Sequence, residues 1–156
     1  GGRMTRAARQ SAPARAPFAP LVFFAQGLPT PQGNHSLSRT GVIYEATKGH
    51  RIWRREVAIA AMLARRSTPI TRPVSVTLDF YLLRPHTSRR PMPSVRPDLS
   101  KLIRSTEDAL VEGMLLADDA LIVSLSASKV YARPGSPCGC AITIHDAEDP
   151  CITPTP

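Results

Sequence analysis

Residues 73–83 read PVSVTLDFYLL and carry the clearest structural signal in the chain. Large apolar residues alternate here with smaller or polar ones, which is the period of two that points successive side chains to opposite faces of a strand. The apolar set is Val74, Val76, Leu78, Phe80 and Leu82. The pattern predicts a half-buried strand, so another layer of the fold must cover its apolar face.

A helix is predicted on each side of this strand. Over residues 51–65, apolar residues recur at helical spacing with arginines around them, which indicates an amphipathic helix with a basic exposed face. The second helix follows Asp98, a natural N-cap, and ends at Gly113, a natural C-terminal stop. The two helices are the elements available to cover the sheet.

Four further strands are predicted from short apolar or alternating runs, over residues 21–25, 42–44, 121–131 and 140–145. The last two are separated by a Pro-Gly-Ser-Pro turn, so we expect them to form a hairpin. The resulting order of elements predicts one mixed β-sheet with two packed helices, which is an α/β (α+β) fold.

Length and charge bound the function. A chain of 156 residues is the size of one domain, and 20 Lys and Arg against 12 Asp and Glu give a net charge of +8. This balance favours anionic partners, nucleic acid first and acidic lipid second. By composition we expect a disordered basic arm over residues 1–19, a folded domain over 20–145 and a flexible acidic, proline-rich tail over 146–156.

The cysteines and the apolar runs indicate which classes of protein do not fit this sequence. Cys138, Cys140 and Cys151 are odd in number and lack a second closely spaced pair, which fits neither a disulfide framework nor a zinc site. No apolar run approaches the length of about 20 residues that a membrane span needs. We therefore expect a cytoplasmic protein with no membrane partner.

Acidic residues cluster in one part of this basic chain. Half of the 12 lie within residues 98–119, namely Asp98, Glu107, Asp108, Glu112, Asp118 and Asp119. Carboxylates within a basic surface are what a divalent-metal nuclease needs, because their oxygens hold Mg²⁺ while arginines hold the phosphate backbone. Helix caps and turns also favour Asp, so the residues alone leave a purely structural role open.

Two central motifs resemble a known family. They are RPDLSKL at residues 96–102, followed by EDAL at 107–110, and ADDALIV at 117–123, with Lys129 beyond. Together with GLPTPQG at 27–33 and WRREV at 53–57, they resemble the RusA family of Holliday-junction resolvases, which is common in phages and prophages. The resemblance extends weakly over residues 21–145 and implies a RusA-like fold.

The resemblance also implies roles for individual residues. Asp98 and Asp119, with Asp118 beside the latter, correspond to metal-binding and catalytic carboxylates, and Arg104 stands at the position of the catalytic lysine. Ser100 departs from the family pattern, because a second essential Asp is expected there. An arginine keeps the charge of the lysine but is a much weaker proton donor.

A nearby acid offers compensation for Ser100. Ser100, Arg104 and Glu107 lie along one flank of the predicted helix, since residues three to four apart are neighbours. We therefore consider Glu107 a compensating acid. The residues expected to bind DNA are Lys101, Arg104, Arg96, Arg89 and Arg90.

The function implied by the resemblance is Mg²⁺-dependent cleavage of four-way DNA junctions by paired nicks, with Mn²⁺ as an alternative ion. Two symmetric nicks need two active sites related by a two-fold axis, so we expect a homodimer in a bacterial or phage-infected cell. Two alternatives stay open. One is a junction-binding protein weakened by Ser100, and the other is a non-catalytic basic nucleic-acid-binding module whose acids are caps and turns.

Overall fold

The computed structural model describes residues 15–32 and 42–147, with side chains described from Lys48 in the second range. In chain order the elements are β1 Leu21–Gln26, α1 Val42–Ala64, β2 Val74–Leu82, α2 Leu99–Glu112, a 3-10 turn Asp119–Leu121, β3 Ile122–Tyr131 and β4 Gly139–Asp146. The predicted α+β class with one mixed sheet and two helices is confirmed. The expected arm and tail lie largely outside these residues, in 1–14 and 148–156.

The four strands form one sheet in the order β1-β4-β2-β3. Strand β4 is antiparallel to both of its neighbours, whereas β2 and β3 are parallel. The predicted hairpin between the last two strands is therefore wrong, because β2 lies between them. The burial pattern gives the reason: β4 buries Cys140, Ile142 and Ile144 and takes an interior place, while the serine-rich β3 is at the edge.

Both helices contribute to a single core with the sheet. The alternation predicted for residues 73–83 is confirmed, since Val74, Val76, Leu78, Phe80 and Leu82 are the buried positions of β2. Trp53 and Val57 of α1 and Leu102 and Leu110 of α2 are fully buried with them. No described helix has both the length and the apolar character needed to cross a membrane.

Helix α1 is longer than its periodicity indicated. It begins at Val42, so the short strand predicted over residues 42–44 is wrong. A run of three apolar residues satisfies either period, and Gly49 costs a helix only about 1 kcal/mol, which does not end it. The exposed surface of α1 is also less uniformly basic than expected, because Ile52 and Leu63 are exposed beside its arginines.

The two helices approach closely at the end of α2. A Cβ atom at Gly113 would lie 2.5 Å from the backbone oxygen of Ala58 in α1. The C-terminal stop predicted at Gly113 is confirmed, and the glycine also lets α2 pack directly on the backbone of α1. This contact fixes which side of α2 faces α1.

The loop after β1 contacts helix α2 at two points. Ser105 Oγ donates to the Thr30 backbone oxygen at 3.0 Å, and the Gln32 amide donates to the Lys101 backbone oxygen at 3.4 Å. The loop therefore holds the first turns of α2 in place.

Candidate active site

Helix α2 carries acids on two different flanks. On the flank that faces α1, Arg54 contacts Glu112 directly and its Nη1 lies 4.0 Å from Asp108 Oδ2. We call Asp108 and Glu112 the interface flank. Their charges are matched by an arginine of α1, so these acids join the helices.

Glu107 lies one residue before Asp108 but has different neighbours. Partial burial raises the pKa of Glu107, the negative charges of Asp119 and Asp108 raise it further, and the charge of Arg104 opposes them. We call Glu107 and Asp119 the acidic flank. The structure thus brings these two carboxylates close enough for repulsion, with Arg104 as the opposing charge.

Asp118 holds the turn that positions Asp119. Its Oδ1 accepts a hydrogen bond from the Ala120 amide at 2.8 Å, at the start of the 3-10 turn. This hydrogen bond is the main cause that lowers the pKa of Asp118. Asp118 therefore has a capping role in addition to its carboxylate charge.

Asp98 stands at the N-cap of α2, but its side chain makes no capping hydrogen bond. Instead, Lys101 Nζ lies 3.7 Å from Asp98 Oδ2. Glu107 is nine residues further along the helix, which is about 13 Å along its axis. Asp98 and Glu107 therefore occupy different levels of α2. Among the described residues, no three His, Cys, Asp or Glu side chains converge as a metal-binding group.

Lys129 of β3 supports the segment that precedes Asp98. Its Nζ donates to the backbone oxygens of Val95 and Pro97, both at 2.8 Å. Lys129 therefore ties the start of α2 to the sheet. The sequence contained the residue beyond the second motif but gave no role for it, because the contact joins segments 32 and 34 residues apart.

The expected DNA-binding side chains lie around the same end of α2. Arg89, Arg90, Arg96 and Arg104 are exposed, and Lys101 is half-buried beside Asp98. Arg90 is held within its loop by a 3.3 Å hydrogen bond from Nη1 to Ser94 Oγ. The end of the domain that carries Asp98 thus presents positive charge to solvent.

Ser100 is exposed on the first turn of α2, and Arg104 follows one turn later. Since residues three to four apart share a helix flank, Arg104 lies between the levels of Ser100 and Glu107. The role predicted for Glu107 stays a prediction, but its charge environment now links it to Asp119.

Known nucleases resemble most of this chain. The family model described as endodeoxyribonuclease RusA matches residues 26–144. The matched range contains both helices and every residue to which the sequence resemblance assigns a role. No curated protein matches the sequence.

Proposed function

Because the chain belongs to the RusA endodeoxyribonuclease family, we propose that it is a Mg²⁺-dependent homodimer that resolves four-way DNA junctions by paired nicks. Family membership implies an endodeoxyribonuclease that resolves Holliday junctions. It is the observation that carries the proposal. The metal, the paired nicks and the residue roles are our inference from the side chains described above.

The acids suit a hard divalent cation. Carboxylate oxygens are the ligands that Mg²⁺ prefers, and two carboxylates that repel each other gain most from a shared cation. We assign Asp98, Asp118 and Asp119 as the carboxylates for the metal and Glu107 as the acid that compensates for Ser100. When bound, the cation supplies Lewis-acid polarisation of the phosphate and an activated water. The pKa of Glu107, raised first by burial and then by the charge of Asp119, supports the pairing of Glu107 with Asp119, whereas Asp98 and Asp118 are assigned from the family resemblance.

Two basic residues of α2 have distinct roles in the proposal. Arg104 remains protonated at any physiological pH, so it stabilises the negative charge that develops on the phosphate but does not transfer a proton. We assign Lys101, which pairs with Asp98, to contact the backbone of a bound strand. Arg89, Arg90 and Arg96 extend the basic surface and hold the DNA by phosphate contacts.

The dimer follows from the geometry of the reaction. Each chain offers one set of these acids, whereas paired nicks in strands of like polarity need two sites related by a two-fold axis. A second copy of the chain provides the second site.

A second candidate is favoured by Ser100. Without the Asp that the family pattern has there, the protein would bind junctions and cut them slowly or not at all. In that case the acidic flank would not compensate.

Incubation with a synthetic four-way junction and a matched linear duplex separates these functions. We expect paired nicks on the junction in Mg²⁺, none in EDTA, and a loss of about a hundredfold in nicking rate for Asp119→Asn. Tight junction binding without nicks in Mg²⁺ and in Mn²⁺ would establish the second candidate. Equal treatment of junction and duplex would reject both and leave a generic basic nucleic-acid-binding module.

A further inference from the structure

A second basic site lies outside the acidic region, where the segment of residues 15–20 crosses the domain. We call this segment the strap. The Phe18 amide donates to Asp146 Oδ2 at 3.2 Å, and Arg72 contacts the same carboxylate. Arg72 also donates to the Ala16 backbone oxygen at 3.2 Å, and its Cζ lies 5.5 Å from the centre of the Phe18 ring. The Arg72–Asp146 pair therefore fixes the strap on the domain.

Between the strap and residues 66–72 lies a cavity of about 220 Å³. This is several times the volume of one water, about 30 Å³, and smaller than the 300 Å³ or so at which pockets for drug-sized ligands begin. Leu21, Ile70 and Leu115 form apolar parts of its wall. The cavity thus suits a small group with a few polar contacts.

The polar part of the wall is rich in positive charge and hydroxyl groups. It consists of Arg15, Arg66, Ser67, Thr68, Thr71 and Arg72. Asp146 matches the charge of Arg72, whereas Arg15 and Arg66 form no ion pair within the part of the chain that the structure describes. The side chains of these residue types, guanidinium and hydroxyl, carry the donors that bind phosphate oxygens.

Backbone hydrogen bonds join the wall of the cavity to the segment that leads to the acidic flank. The Ile70 amide donates to the Leu115 oxygen at 2.8 Å, and the Ala117 amide donates to the Ile70 oxygen at 2.9 Å. Leu115 lines the cavity, and Asp119 follows four residues later, so their Cα atoms are at most about 14 Å apart. One DNA strand rises about 3.4 Å per nucleotide, so this distance corresponds to about four nucleotides.

We propose that this cavity binds a backbone phosphate of the DNA strand within about four nucleotides of the phosphate that is cut. Arg66 and Arg15 hold the phosphate oxygens, and the hydroxyls of Ser67 and Thr68 complete the contacts. The proposal rests on the proposed function, because it requires DNA at Asp119. The site adds a phosphate contact outside the acidic region and so raises the affinity for the strand.

Arg66→Gln and Arg65→Gln form a matched pair for the test. They are adjacent and each removes one positive charge, but Arg65 does not line the cavity. Junction affinity is measured in EDTA at several salt concentrations. We expect Arg66→Gln to weaken binding about tenfold and to reduce the salt slope by about 0.9, as for one lost phosphate contact. Arg65→Gln should change affinity less than about twofold. Equal losses in the two variants would overturn the proposal.

Inorganic phosphate at constant ionic strength tests the other source of the same chemistry. Phosphate should weaken junction binding by the wild type more than by Arg66→Gln. If Arg66→Gln lost phosphate binding but kept junction affinity, the cavity would be a free-anion site and the DNA assignment would be wrong.

Cleavage kinetics separate this proposal from the proposed function. Loss of a uniform binding contact raises KM and leaves kcat unchanged, so Arg66→Gln should nick at the wild-type rate when saturated. A wild-type protein that binds junctions but never nicks them contradicts the proposed function alone. A wild type that nicks, with Arg66→Gln and Arg65→Gln indistinguishable in KM, contradicts the phosphate site alone.

Discussion

The two flanks of helix α2 carry acids of the same kind in opposite circumstances. On the interface flank, Asp108 and Glu112 meet Arg54 of α1. On the acidic flank, burial raises the pKa of Glu107 and the negative charge of Asp119 raises it further. Glu107 and Asp108 are adjacent in one helix, yet Asp108 pairs with an arginine of α1 whereas Glu107 lies near another carboxylate.

The difference teaches which acids are structural. A partly exposed ion pair stabilises a fold by about 1 kcal/mol or less, and its acids are explained by that contact. A partly buried carboxylate with a raised pKa, such as Glu107, weakens the fold slightly when it ionises, and such groups concentrate at functional sites. We therefore assign the interface flank to stability and the acidic flank to chemistry.

The largest expected effect is on nicking, from the neighbouring substitutions Glu107→Gln and Asp108→Asn. Each removes one negative charge from α2. If Glu107 compensates for Ser100, Glu107→Gln should slow Mg²⁺-dependent junction nicking about a hundredfold, whereas Asp108→Asn should stay within about twofold. Single-turnover nicking of a labelled junction measures both. Unchanged activity in Glu107→Gln would remove Glu107 from the site.

The next effect is on stability, at the close contact beside the interface flank. A Cβ at Gly113 would meet the backbone oxygen of Ala58 at 2.5 Å, so Gly113→Ala must push the helices apart. We expect a loss of about 1–3 kcal/mol in the free energy of unfolding, measured by urea titration. Gly49→Ala in α1 is the control, because its Cβ would lie 3.6 Å from Thr30 and alanine favours the helix. Equal losses would show that helix contact at Gly113 is not tight.

Some parts of the fold could be predicted from the sequence and others could not. The alternation of β2 and the bounds of α2 were predicted because each follows from a local period and local end signals. The sheet order was not predicted, since the place of β4 between β1 and β2 depends on pairing between strands that are distant in sequence.

The site was predictable only in its residue types. Arg54 contacts Glu112 across 58 residues of sequence, and no motif spacing indicates that contact. The same holds for Lys129, which donates to the backbone oxygen of Pro97, 32 residues earlier in the sequence. Sequence motifs grouped the six acids together, and only packing separates the interface flank from the acidic flank.

A smaller effect concerns Asp118, which caps the turn next to the acidic flank. Asp118→Ala removes the acceptor for the Ala120 amide and should lower the unfolding free energy. Asp118→Asn keeps an acceptor oxygen and should lower it less. Thermal unfolding of the two variants compares them, and an equal loss would show that the hydrogen bond does not stabilise the turn.

The smallest expected effect is that Glu107→Gln and Asp108→Asn change the unfolding free energy of the metal-free protein in opposite directions. Because the pKa of Glu107 is raised in the folded protein, ionisation opposes folding, and stability falls as pH rises from the ordinary glutamate pKa of 4.5 through the folded pKa. In EDTA at pH 7, Glu107→Gln should therefore raise the unfolding free energy, whereas Asp108→Asn should lower it by weakening the contact with Arg54. Both changes should stay below about 1 kcal/mol, because solvent screens partly exposed charges. Two changes of the same sign would contradict the division into flanks.

Direct binding of Mn²⁺, followed by the loss of its free-ion electron paramagnetic resonance signal, tests most directly whether the acidic flank faces a metal. Wild type, Glu107→Gln and Asp108→Asn are compared without DNA at equal protein concentration. We expect Glu107→Gln to bind Mn²⁺ at least about tenfold more weakly than wild type, and Asp108→Asn to match the wild type. Equal affinity in all three proteins, or a loss confined to Asp108→Asn, would contradict the assignment of the acidic flank to the metal.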